Sequence, residues 1–214
     1  MPPLILVAAS GLAREVLSML DRLPQFSVVG ILDDEPSLRG TSVRGVPILG
    51  PLDAVARFPE THLLLCAGRG SVRRHISERL AALGVDNGRY ATVTDPSAAV
   101  SRTCSIGAGS ILLAQSALTA DVRLGRHVVV MPNATVTHDN VLEDFATVCA
   151  GVSLGGSVTI GAGAYVGMNA SVRERVMVGP DSTVGMGACV LNDIPAGEVW
   201  GGVPARSLTK VTPW

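Results

Sequence analysis

In Val136-Thr137-His138-Asp139-Asn140 an imidazole is followed directly by a carboxylate. Histidine titrates near neutral pH, so a ring nitrogen can take a proton from an amine or hydroxyl as it attacks a carbonyl carbon. A neighbouring carboxylate fixes the tautomer and raises the basicity of the ring. The other histidines are His62, on an expected strand edge, His75, on an expected helix, and His127; all three read as structural. The basic side chains are sixteen arginines and a single lysine, Lys210. That leaves no phosphate-loop lysine and no plausible Schiff-base lysine. Cys66, Cys104, Cys149 and Cys189 form no CxxC and no pairing pattern. They read as small buried residues in a reducing cytosol.

A second group of candidates lies in the first third of the chain. Ser10-Gly11, Asp33-Asp34 and Gly68-Arg69 each close an apolar run. Free N–H groups at a helix start after Gly11 can hold a phosphate. Asp33 follows about twenty residues on, where an acid can bind ribose hydroxyls. The full G-x-G-x-x-G is absent, so an ordinary strand–turn–helix stands as the other reading.

The elements that carry these loops follow from apolar pattern. Leu4–Ala8, Val28–Leu32 and Leu63–Ala67 are continuous apolar runs, as in buried parallel strands. Leu12–Leu20 has helical spacing and stops near Pro24. Val46–Leu49 is a short strand and Leu52–Arg57 a short helix. Ser71 is the expected cap of a helix that Gly84 ends, and Tyr90–Val93 the last strand. Strands alternating with helices give a small parallel sheet with its ligand loops at the strand C-termini.

From Val100 to Val190 every sixth residue is Ile, Leu or Val, sixteen times without an insertion. Six is neither the helical 3.6 nor the strand 2. It suits a short strand and a corner, three per coil, with one aliphatic pointing inward each time. Residues eighteen apart then stack, with coils about 4.8 Å apart. The residue two before each aliphatic is small or β-branched, Asn140 excepted. Gly often follows the aliphatic, where a corner can need positive φ. On this lattice His138 faces outward, and its stacked neighbours are Ala120 and Gly156. Both lack bulk, and Gly156 leaves backbone N–H accessible to a developing oxyanion.

Net charge is −1 and aromatics are 3%. Neither a polyanion partner nor a base-stacking surface is expected, so nucleic acid is excluded. No membrane span or signal peptide is expected, because the apolar run at Leu4–Ala9 is short and lacks a basic flank.

The array resembles the hexapeptide-repeat proteins, whose fold is an all-β left-handed parallel β-helix. The opening Ala8-Ala9-Ser10-Gly11-Leu12-Ala13-Arg14-Glu15-Val16, with Leu32-Asp33-Asp34 and Ala67-Gly68, is similar to sugar acetyltransferases of the bacillosamine N-acetyltransferase and sialic acid O-acetyltransferase type. The resemblance implies a Rossmann-like α/β domain over 1–95 that binds a nucleotide-linked sugar, lined by Ser10, Gly11, Leu12, Asp33, Asp34 and Gly68. It implies a β-helix acyltransferase domain over 96–214. There His138 with Asp139 would be catalytic, and Gly156, Met168 and Met186 would contact acetyl-CoA. In the family a histidine often stands where Thr147 is here, and an acid where Thr137 is. The tail Gly202-Val203-Pro204-Ala205-Arg206 resembles the family's ending beside the pantetheine; Arg206 and Lys210 could meet CoA phosphates or be solvated. The implied activity is acetyl-CoA-dependent N-acetylation of a nucleotide-linked amino sugar in the cytoplasm. Sugar O-acetylation and non-catalytic sugar binding are the alternatives. A zinc anhydrase on the same array would need three histidine ligands, and the array holds two; no metal is expected. A homotrimer is expected from apolar outward positions at Leu113, Val129, Met131 and Met168.

Overall fold

The computed structural model describes residues 1–23 and 25–208. The chain divides into two compact units. The first comprises Met1–Gly68 and Val72–Thr92, the second Arg69–Ser71 and the chain from Val93 onward.

In the first unit β1 (Pro3–Val7), β2 (Ser27–Leu32), β4 (Val46–Gly50) and β5 (His62–Leu65) are parallel, in the order β4-β2-β1-β5. A two-residue β3 (Ser42–Val43) pairs antiparallel with β4 at the edge, a hairpin the apolar pattern did not foretell. Leu6 lies between Ile31 and Leu64 in register, and all three are fully buried. Such strands are apolar on both faces because layers cover both. Helix α1 (Gly11–Leu20) turns Val16, Leu17 and Leu20 inward. Ser10 caps it, its hydroxyl accepting from the Ala13 N–H. Helix α2 (Gly70–Ala82) begins at Gly70, so Ser71 lies inside its first turn and is not its cap. Gly84, at φ +83°, follows its end as expected. The expected strand at Tyr90–Val93 shrinks to one bridge from Tyr90 to Leu63 and a two-residue strand at Val93–Thr94.

The second unit is a stack of coils. Its two-residue strands form three parallel ladders in which partners are eighteen residues apart. Leu118 pairs with Val136 and Val136 with Leu154; Leu124 pairs with Leu142, and Val130 with Val148. From Leu112 to Val190 every repeat aliphatic is buried, and Val100 and Ile106 at the open end are partly so. The third ladder runs on to Val199–Gly201, which an antiparallel strand at Arg206–Ser207 closes.

The corners correct one expectation. Positive φ falls three residues after the aliphatic, at Gln115, Asp121, His127, Asn133 and Asp139 among others, not at the glycine that follows it. Those glycines answer a different demand. A Cβ on Gly155 would lie 2.6 Å from the Glu174 nitrogen, and one on Gly167 2.7 Å from the Met186 nitrogen. The next coil passes too close for a side chain there. The outward apolar positions differ too: Val129 is fully buried and Leu113 nearly so, while Met168 is exposed. Period identifies which side chains point outward, not which of them are covered.

Candidate functional site

At the C-terminal edge of the first unit's sheet, three loops are pinned to one another. The Asp33 carboxylate accepts from the Ala9 N–H at 2.7 Å and the Glu35 N–H at 2.8 Å. The Ser10 hydroxyl donates to the Cys66 carbonyl. The buried Arg73 donates to the carbonyls of Ala67 and Gly68 at 2.8 and 2.9 Å. Beside them is a cavity of about 210 Å³. Asp33 and Asp34 line it; Ser10, Gly11, Leu12 and Gly68 do not. Leu12 turns its side chain into the core. The N–H groups of Gly11 and Leu12 have no acceptor among the described residues, as at any open helix start. His75 and Arg79 also line the cavity. His75, read from the sequence as a structural helix residue, is exposed there. A side chain one helical turn from Arg79 was the signal available.

Asp34 is held by Arg79 at 2.5 Å and by the Leu52 N–H at 2.9 Å. The Arg79 hydrogen bond, then the Leu52 N–H, keep its carboxyl below the usual aspartate value. A depressed carboxyl stabilises the fold above the ordinary aspartate range, and that contribution disappears as pH falls through its own lower pKa. Both side chains keep more than a third of their surface exposed, so solvent limits the pair to about 1 kcal/mol at most. Titration of Asp34 by NMR should give a midpoint below that of an ordinary aspartate, moving up in Arg79→Ala. An unshifted midpoint in the native chain would contradict the pairing.

In the second unit His138 and Asp139 meet as their adjacency implies. Nδ1 of His138 lies 2.7 Å from the Asp139 carboxylate, and both side chains are more than half exposed. Asp139 takes the positive-φ place in the corner (φ +60°), which an aspartate tolerates. This bond leaves Nε2 as the ring nitrogen open to other groups. Gly156 lies over the ring: a Cβ added there would collide with Cε1 and Nε2 of His138. The Gly156 N–H has no acceptor among the described residues. At the equivalent place five corners earlier in the chain, the Arg126 N–H is taken by Asp144 at 2.7 Å. An unoccupied donor therefore stands beside an imidazole whose other nitrogen is tied to a carboxylate. His127 differs: it is buried and stacks on Phe145 with centroids 5.1 Å apart. His62 meets the Phe26 ring edge-on at 5.9 Å.

A cavity of about 670 Å³ opens further along the second unit. Met168 and Met186 line it, as do Tyr165, Gly185, Leu208 and Arg69. Gly156 does not, so the three residues expected to share a ligand divide between the cavity and the His138 corner. The Arg69 guanidinium sits 5.3 Å from the Tyr165 ring centroid, a cation–π contact. Burial pushes the Tyr165 hydroxyl up to about 12. Neither residue was singled out for this cavity from the sequence, because ring and cation are nearly a hundred residues apart. Arg206 is exposed and donates to the Ala205 carbonyl; Lys210 lies outside the described residues. Among the described residues no three His, Cys, Asp or Glu side chains gather as a metal-binding group, and no helix is long and apolar enough to cross a membrane.

Coils of three two-residue strands, repeating every eighteen residues, define a hexapeptide-repeat protein. The model of the PglD N-terminal domain family matches residues 3–80. The acetyltransferase domain of PglB from Neisseria gonorrhoeae, solved with acetyl coenzyme A, is 32% identical. The match covers 96% of this chain and 98% of that one, with a TM-score of 0.87. Perosamine N-acetyltransferase from Caulobacter crescentus, solved with CoA and GDP-perosamine, is 26% identical over 98% of each chain, with a TM-score of 0.89. The curated GDP-perosamine N-acetyltransferase of Escherichia coli is 26% identical over 81% of this chain and 80% of its own length. Two further curated relatives are longer, and the chain spans 26% of one and 48% of the other, the latter a gamma carbonic anhydrase of Arabidopsis thaliana. The chain belongs to the hexapeptide-repeat sugar acetyltransferase family.

Proposed function

We propose that the chain is an acetyl-CoA-dependent acetyltransferase that acylates the amino group of a nucleotide-linked amino sugar. The observation that carries this is the His138–Asp139 pair beside the open Gly156 N–H, in a chain matched end to end by an acetyltransferase domain solved with acetyl coenzyme A. The acceptor amine attacks the thioester carbonyl carbon. His138 Nε2 takes the proton the amine loses, and Asp139 holds Nδ1–H so that Nε2 is the free base. The Gly156 N–H donates to the oxyanion. The C–S bond then breaks, and the proton on His138 leaves with the CoA thiol. No covalent intermediate on the protein is needed.

The cavity with Met168 and Met186 suits the apolar stem of acetyl-CoA. Residues 1–95 are assigned the nucleotide sugar, in a Rossmann-like arrangement with Asp33 and Asp34 at its cavity. Because the Asp33 carboxylate also holds two backbone N–H groups, replacing it costs stability as well as affinity. Residues 96–214 are assigned the chemistry, on a left-handed β-helix, in a cytoplasmic protein. The exposed Met168, Met177 and Met186 support a homotrimer, whose mass sedimentation velocity should give; a monomer at micromolar concentration would contradict it.

The deciding experiment is release of CoA thiol from acetyl-CoA across a panel of UDP-, GDP- and dTDP-linked amino sugars, with the matching hydroxy sugars as controls. Turnover with an amino sugar is expected. Turnover with hydroxy sugars alone would replace the amine with an alcohol acceptor. None with any member would reject the reading.

A further inference from the structure

We propose that Asn140 is a positioning residue: its buried amide ties the turn that carries His138 to the turn that carries Gly156, and so fixes base and oxyanion donor relative to each other. The inference rests on the roles proposed above for those two residues. Asn140 breaks the pattern of small or β-branched residues two places before each aliphatic. It is fully buried, so its amide needs partners. Nδ2 donates to the Thr137 carbonyl at 2.9 Å and the Gly155 carbonyl at 3.0 Å. Oδ1 accepts from the Val158 N–H at 3.0 Å. Thr137 immediately precedes His138, and Gly155 immediately precedes Gly156.

Other corners show what this replaces. Where the fourth corner residue is alanine, the backbone closes the turn itself: the Ala164 N–H donates to the Gly161 carbonyl at 3.0 Å, and Ala170 to Gly167 at 3.2 Å. Along the edge that carries Asn140, the stacked residues are Val122, Val158 and Val176. Valine therefore suffices for packing there. The N–H groups of Val122 and Val176 have no acceptor among the described residues. In the Gly155–Val158 corner both open groups are bound, by the amide of Asn140. One edge over, Ser110 bridges its corner in the same way, donating to the Gly125 carbonyl at 3.0 Å and accepting from the Val128 N–H at 3.1 Å. A polar side chain thus spans two coils at the one outward His–carboxylate pair of the array, where packing does not call for it.

The test compares Asn140→Val, which imitates the stacked neighbours, with Asn140→Ser, which can remake the Gly155 and Val158 bonds as Ser110 does. Both are measured for kcat, KM for each substrate, the pH profile and thermal midpoint, beside His138→Ala. Asn140→Val should fold, keep both KM values near native and lose about tenfold to a hundredfold in kcat, the scale of a misplaced catalytic group. Asn140→Ser should recover most of that loss. Should the valine variant not fold, Asn140→Ala takes its place. Native kcat and pH profile in the valine or alanine variant, with only the thermal midpoint lowered, would make Asn140 structural and overturn the proposal. So would a serine variant as slow as the valine one. If His138→Ala itself turns over normally, the proposed roles fall and this inference with them. If His138→Ala is inactive while the Asn140 variants are native, this inference alone falls.

Discussion

His138→Ala is expected to lose about 10²–10⁴-fold in kcat, the usual contribution of a positioned general base. Acetyl-CoA binding, followed by calorimetry, should stay near native, because His138 does not line the cavity that holds Met168 and Met186. The fold should be untouched, since the ring is more than half exposed and its recorded side-chain hydrogen bond is to Asp139. Asp139→Asn should lose less, because it removes orientation and basicity but leaves Nε2 in place. Near-native turnover by His138→Ala with an identified acceptor would move the proton to water or to the amine itself. His127 is no substitute: it is buried and stacked on Phe145.

The repeat and the site were legible in the sequence to different depths. A strict six-residue period names the inward side chains, and the stacking of Leu118, Val136 and Leu154 follows from counting eighteen. The same count puts Gly156 beside His138, where a Cβ would strike the ring. Both results depend on a lattice without insertions. What the count cannot supply is coverage. Val129 and Leu113 point outward by period and are nonetheless buried. Nor does it supply corner conformation. Residues such as Gln115, Asn133 and Asp139 take positive φ while the neighbouring glycines serve close packing, and both demands favour small or turn-forming residues in the same few positions.

The first unit has no period to count, and its reading rested on loop residues alone. Apolar runs located the strands because buried parallel strands are apolar on both faces. They could not show that the Asp33 carboxylate is occupied by the Ala9 and Glu35 N–H groups, nor that Arg79 reaches Asp34 from a helix forty-five residues away. Two acids in sequence look alike until their partners are known: Asp33 organises the loop after β1, while Asp34 anchors Leu52 and an arginine.

Val148→Asp should abolish folding of the second unit. Val148 is fully buried and lies in register between Val130 and Val166. A carboxylate there would face stacked aliphatics with no cation to meet it. An unpaired buried charge costs several kcal/mol even after relaxation, which is comparable to the whole net stability of about 5–15 kcal/mol for a typical domain. Protonation softens the penalty but leaves a buried acid without partners, still costing about 1–3 kcal/mol. Relief by displacement is also closed, because each coil is hydrogen-bonded to the next: the Thr147 N–H donates to the Ala164 carbonyl at 2.9 Å and the Cys149 N–H to Val166 at 2.9 Å. The control is Ser171→Asp, an exposed position stacked between Ser153 and Cys189. It adds the same charge to the same kind of strand and should change stability by no more than about 0.5 kcal/mol. Circular dichroism melts of both variants separate burial from charge. A cooperative, near-native transition in Val148→Asp would mean that the interior of the coil stack admits water or rearranges, and that the column of aliphatics is not what holds it together.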